Sequence, residues 1–180
     1  MKTRHGFVSN SSSSSFIVAF SKTVSSPENV QNEMFPNGEI SLRDPYGDSR
    51  YGTERISETV YDDISSRKPA KKKELMEELS GDSYVEYPYE KTRRLWDLRR
   101  KTTDEDELDK IQIELDAVYE KHHLECEAIA KKRLAEFLDS VGKNKKIYIV
   151  SYSDNNGEYY TMMEHGDIFR NIPHIRISHH

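Results

Sequence analysis

One cysteine, Cys126, stands among 180 residues. A single thiol excludes an intramolecular disulfide framework and suits a reducing compartment, so a cytoplasmic setting is expected. No apolar run approaches the ~20 residues of a membrane span. Phe16 to Phe20 is shorter than the roughly 7–15 residues of a signal-peptide core, and polar serines precede it. Positive charge is not in excess either: 27 Lys and Arg against 32 Asp and Glu leave a net −5. That argues against a general nucleic-acid binder and leaves room for a local basic patch. Apolar residues are scarce at 34% and charged ones abundant at 33%, a balance that suits a small core with long solvated helices. The motifs of nucleophilic and metal catalysis are missing as well. There is no Gly-x-Ser-x-Gly, no His-Glu-x-x-His and no Gly-Lys-Ser/Thr phosphate loop.

What is present begins with a serine tract. Ser11, Ser12, Ser13, Ser14 and Ser15 lie between Phe7-Val8 and the apolar run Phe16 to Phe20. Small polar side chains bury too little surface to offset ordering entropy, so such a tract reads first as a flexible leader. Two other readings stand beside it. Successive backbone N–H groups beside small side chains can cradle an anion, and clustered hydroxyls can be modified. The wording around the tract adds a resemblance. Lys2, Arg4, Gly6 to Asn10, the serines and Phe16 to Val18 resemble a leader shared by uncharacterised proteins of tailed bacteriophages and some bacteria. That resemblance implies a phage or bacterial accessory protein. It implies no reaction and carries over no catalytic residue.

Along the chain, Phe16 to Phe20 reads as a buried strand. Residues 35–53 are rich in Pro, Gly, Asn and Asp and read as a long loop, mobile or used for binding. Ile56, Val60 and Ile64 share a helical face, and a second helix is expected over 68–80, closed by Gly81. Residues 90–101 form a basic helix. The longest element runs from about 104 to 141, with Leu108, Ile111, Leu115, Val118, His122 and Cys126 stepping by three and four. Thr102 and Glu105 read as its capping box and Gly142 as its stop. A helix of this length should pair with 90–101, with 68–80, or with a second chain as a homodimer. Ile147 to Tyr152 reads as a central strand, Asn156-Gly157 as a type I′ hairpin turn, Glu158 to Met163 as the returning strand, and His174 to Ser178 as the last strand. The expected fold is α+β: a small antiparallel sheet from both chain ends with an inserted long helical hairpin. It is read as one domain over 1–180, with leader and first strand in 1–34, helical insertion in 54–142, and C-terminal hairpin and last strand in 146–180.

Three constellations could carry function. Arg93, Arg94 and Arg100 surround Trp96, with Tyr87 and Tyr89 just upstream. Arginine forks onto phosphate or carboxylate and aromatics anchor interfaces, so this is a partner-binding surface for protein or nucleic acid. Glu164, His165, Asp167 and His174 offer the oxygen and nitrogen donors of a divalent metal, although their spacing matches no metalloenzyme motif. His179-His180 follows and reads equally as a tail. His122 and Cys126 share a helical face, which favours packing over metal binding.

The leading expectation is a non-enzymatic phage or bacterial accessory protein that binds a host protein or nucleic acid and no membrane; the sequence names no cofactor. A metal-dependent hydrolase or nuclease built on the C-terminal His, Asp and Glu residues is one alternative. A nucleotide- or phosphate-binding module built on the serine tract is the other.

Overall fold

The structure is a computed structural model and describes residues 13–21, 24–80, 87–143 and 145–178. Ser11, Ser12, Gly81, His179 and His180 lie outside the described residues. In order, the elements are β1 (Ser13–Phe20), α1 (Pro27–Met34), β2 (Ser41–Arg43), β3 (Arg50–Gly52), α2 (Thr53–Ser65), α3 (Lys72–Ser80), α4 (Tyr89–Lys101), α5 (Glu105–Val141), β4 (Lys146–Ser153), α6 (Glu158–His165) and β5 (His174–Ser178). The fold is α+β, with small antiparallel sheets and a long inserted helix.

The chain divides into two compact units, residues 1–75 with 136–180 and residues 76–135. The second unit lies within the helical stretch 54–142 read from the sequence. Helix α2 belongs to the first unit because Ile56, Val60 and Ile64 are fully or almost fully buried in its core.

The first unit is organised by a three-stranded sheet in the order β4-β1-β5, antiparallel throughout. The central strand is β1, not β4. Both sides of β1 are paired: Ile17 stands opposite Ile149 on one side and Ile175 on the other. The edge at β4 is partly covered, since Ala70 N–H donates to the Ile147 carbonyl at 2.7 Å and Arg67 to that of Ile149 at 2.9 Å. Strand alternation sends Phe16, Val18 and Phe20 with Tyr148, Val150 and Tyr152 to one face. Val30 and Met34 of α1, the α2 stripe, Met162 and Met163 of α6, and Phe169 complete that core. Each such side chain contributes roughly 1.5–3 kcal/mol on leaving water. On the opposite face Ile17, Ala19, Ile175 and Ile177 are buried too.

The serines join this sheet. Ser13, Ser14 and Ser15 extend β1 beyond the apolar run, so tertiary context overrides the low strand preference of serine. Ser15 Oγ lies 2.9 Å from Ser151 Oγ, its direct cross-strand partner.

The expected hairpin at Asn156-Gly157 does not form. Gly157 keeps a positive φ of 100°, but Asp154–Asn156 makes a 3-10 turn and Glu158–His165 is helical. A helix places the consecutive Met162 and Met163 in the core, which strand alternation forbids. Residues 35–53 also hold more order than a loop, since β2 and β3 pair from Ser41 opposite Gly52 to Arg43 opposite Arg50. Helix α1 has no counterpart in the sequence reading. Pro27 occupies its first turn, and Ser26 Oγ accepts from Asn29 N–H at 3.3 Å.

The second unit is a helical hairpin. Leu95 of α4 packs with Ile111, Leu115 and Val118 of α5, which joins the two helices along one seam. The cap of α5 falls on Asp104, whose Oδ1 accepts from Glu107 N–H at 3.0 Å, not on a Thr102–Glu105 box. Thr102 instead donates to Glu107 Oε2 at 2.6 Å. Gly142, at φ 76°, ends the helix in the left-handed conformation that glycine tolerates best. At 37 residues α5 spans about 55 Å.

Candidate functional site

In the second unit, α4 buries only Thr92 and Leu95. Most of what remains faces solvent, with six cationic residues to two acidic ones. Helical spacing sorts those residues. Tyr89, Arg93, Trp96 and Arg100 follow i, i+4, i+7 and i+11 and form one stripe. Arg94 stands on another face, near Leu98 and Lys101. The sequence reading thus grouped residues that the helix separates.

Trp96 is held in place while 41% exposed. Its indole N–H donates to Tyr119 Oη at 3.2 Å, and the Arg99 guanidinium lies 5.2 Å from its ring centroid. Arg99 in turn donates to Gln112 Oε1. Tyr87 stacks on Tyr119 with centroids 6.3 Å apart and meets His122 edge-on at 5.5 Å. The hydrogen bonds from Tyr87 and from Trp96 hold the Tyr119 phenol below its ordinary pKa, and the same pairing raises that of Tyr87. Tyr119 therefore links Trp96 to Tyr87, which is itself 43% exposed. Pro88, Lys91, Ala117, Lys121 and His122 border a cavity of about 350 Å³ beside it.

In the first unit the serine tract meets the C-terminal residues. Ser14 Oγ donates to Glu164 Oε1 at 3.0 Å, and both side chains are buried. The other carboxylate oxygen accepts from Asp154 N–H at 3.0 Å. Arg176 donates to Ser14 Oγ through Nε at 3.2 Å and Nη2 at 3.1 Å. Arg176 Nη2 also lies 3.0 Å from His165 Nδ1. Arginine only donates, so Nδ1 accepts and the ring proton sits on Nε2, which lies 3.6 Å from Glu164 Oε1. The ring of Tyr46, from the β2–β3 loop, meets His165 edge-on at 5.2 Å.

This geometry bears on each chemistry expected of these residues. Ser14 gives its proton to Glu164, not to His165, so the three do not form a nucleophile–base relay. Ser14 and Ser15 are paired through their backbones on both sides of β1 and buried, so they form neither an anion nest nor an accessible modification site in the folded chain. Of the candidate metal ligands, Glu164 and His165 come together, joined by Asp154, with donor atoms within 4.8 Å of one another. Asp167 is exposed at φ 50°, and His174 Nδ1 sits 3.0 Å from the Ile172 carbonyl; neither belongs to that group. The Arg176 guanidinium contacts this group through His165 Nδ1. The arrangement is that of a polar network, buried at Ser14 and Glu164 and open to solvent at Arg176, that joins both ends of the sheet. Sequence reasoning missed Asp154 and Arg176 as members. The only available signal was the alternation of β5, which places Arg176 on the same face as Ser14.

Comparison with family models, curated proteins and solved structures returned no match. Among the described residues, no helix is long and apolar enough to cross a membrane.

Proposed function

We propose that this chain is a non-enzymatic interaction protein, of the phage or bacterial accessory kind, whose helix α4 docks an acidic host macromolecule. The observation that carries the reading is the exposed stripe of Tyr89, Arg93, Trp96 and Arg100, braced by Tyr119 and Arg99. Aromatic and arginine anchors dominate interface energetics, and an anchor already held in its rotamer loses less entropy on binding. The stripe is cationic on a chain whose net charge is −5, which selects for an acidic surface on the partner.

Affinity capture from host extract, with and without nuclease, tests this. Trp96→Ala with Arg93→Ala should remove the captured species at least tenfold while circular dichroism and melting stay unchanged, because both side chains are exposed. Arg94→Ala should weaken capture less. If the double variant captures the same species as the wild type, the reading fails. Loss of capture after nuclease makes the partner a nucleic acid, whose affinity must then fall linearly with log salt.

A further inference from the structure

Helix α5 carries a second apolar stripe, on the side away from α4. Ile113, Ala117, Leu124, Ala128 and Ala135 are all exposed, and the two large ones strongly so, at 68% for Ile113 and 55% for Leu124. Their spacing is i, i+4, i+11, i+15 and i+22. A repeat of eleven residues closes on about three helical turns, so the stripe runs straight along an undistorted helix. The α4 seam, Ile111, Leu115 and Val118, lies roughly opposite. Between the alanines Leu124 stands over a shallow groove of about 400 Å³ bordered by Glu120, Lys121 and Glu125.

We infer that this stripe is the interface of an antiparallel homodimer, with the twofold axis passing beside His123 and Leu124. The pattern is self-complementary about that point to within about two residues. Leu124 meets Leu124 of a second copy at the axis. Ala117 then faces Ala128, and Ile113 faces Ala135, so small residues let the helices approach on either side. The flanking charges agree. Residues on the same flank of the stripe become neighbours in an antiparallel pair. Lys121 then faces Glu125 of the second copy, Glu114 faces Lys132, and Asp116 faces Lys131 on the other flank. One like-charged pair, Glu120 with Glu127, opposes these. A parallel pair would set Lys132 against Lys131 and Glu125 against Glu127, so the charges select the antiparallel arrangement. Within one chain Lys121 already lies 3.8 Å from Glu125, and Lys131 lies 2.7 Å from Glu127, so the flanking charges are in position.

Size sets the strength. A stripe from 113 to 135 is about 34 Å long and about 10 Å wide. Its footprint of about 350 Å² is under half of the roughly 800 Å² per partner of a standard stable interface. The dimer is therefore a weak, transient one and presents two α4 stripes, so a multivalent partner would be held by avidity.

Sedimentation equilibrium on the full chain tests this. The wild type should show a monomer–dimer equilibrium with a micromolar Kd. Leu124→Glu should leave only monomer with an unchanged melting curve, since the side chain is exposed. Lys121→Glu sets a carboxylate against Glu125 of the second copy, twice by symmetry, and should weaken the dimer about tenfold. Adding Glu125→Lys should restore it. A wild type that stays monomeric, a dimer indifferent to Leu124→Glu, or a double swap no tighter than the single one overturns the inference.

Discussion

Ser14 Oγ donates a hydrogen bond to Glu164 Oε1 at 3.0 Å, across 150 positions of the chain. That bond ties the serine tract, through the central strand, to the end of α6. It also explains how a carboxylate that is 1% exposed sits in the core, because Ser14 and the Asp154 N–H satisfy its two oxygens.

Replacing Ser14 with Ala removes one donor from a buried carboxylate. Urea unfolding should show a loss of about 1–3 kcal/mol, the usual cost of leaving such a group unsatisfied. Ser13→Ala, at the start of the same strand and only half-buried, should change stability much less. Equal effects of the two would mean that Glu164 does not depend on Ser14.

Gly166 follows α6 where no side chain fits, because an added Cβ would overlap the carbonyl oxygen of Met162 and the end of its side chain. Gly166→Ala should therefore cost about 1–3 kcal/mol by overpacking, although the φ of −79° suits alanine. A neutral substitution, read by thermal melting, would show that the turn after α6 relaxes freely.

Burial raises the pKa of Asp63, against the lowering influence of Tyr152 and Arg67. The folded chain thus holds this proton more tightly than the unfolded chain does. Its contribution is fully present below the ordinary carboxylate pKa and is lost as pH rises through the raised value. Asp63→Asn removes that loss, so the variant should gain stability relative to the wild type on going from acid to neutral pH. A stability difference that stays flat over that range contradicts the assignment.

Trp96 donates to Tyr119, and Tyr87 is the stronger influence on the same phenol. Ring-labelled tyrosine NMR should show the Tyr119 pKa moving up, toward its ordinary value, in Trp96→Phe and further up in Tyr87→Phe. Were neither substitution to move it, Trp96 would not be braced as described.

Long periodic elements were legible in the sequence, and long-range pairings were not. The stepping of Leu108 to Cys126 by three and four placed α5 to within a residue at each end, because the period persists over many turns. The last strand was legible because Ile175 and Ile177 alternate with His174 and Arg176. The serines of β1 gave no strand signal, since their order comes from neighbours on both sides and not from their own side chains. The Asn156-Gly157 turn signal made Glu158 to Met163 read as a returning strand, yet burial of Met162 and Met163 makes α6 a helix. For the candidate sites the limit was geometric. Clustering in sequence grouped Arg94 with Trp96, whereas helical spacing joins Trp96 to Arg93 and Arg100. Nothing local linked Ser14 to Glu164 and Arg176, which meet only when β1 pairs with β5 and α6 packs beneath.

The central claim is that α4 presents the binding stripe. Hydrogen exchange on the full chain, free and saturated with its captured partner, tests it most directly. The account predicts added protection concentrated in residues 89–101, with the amides of β1 and α6 unchanged. Protection confined to the first unit, with 89–101 exchanging as in the free chain, would contradict it.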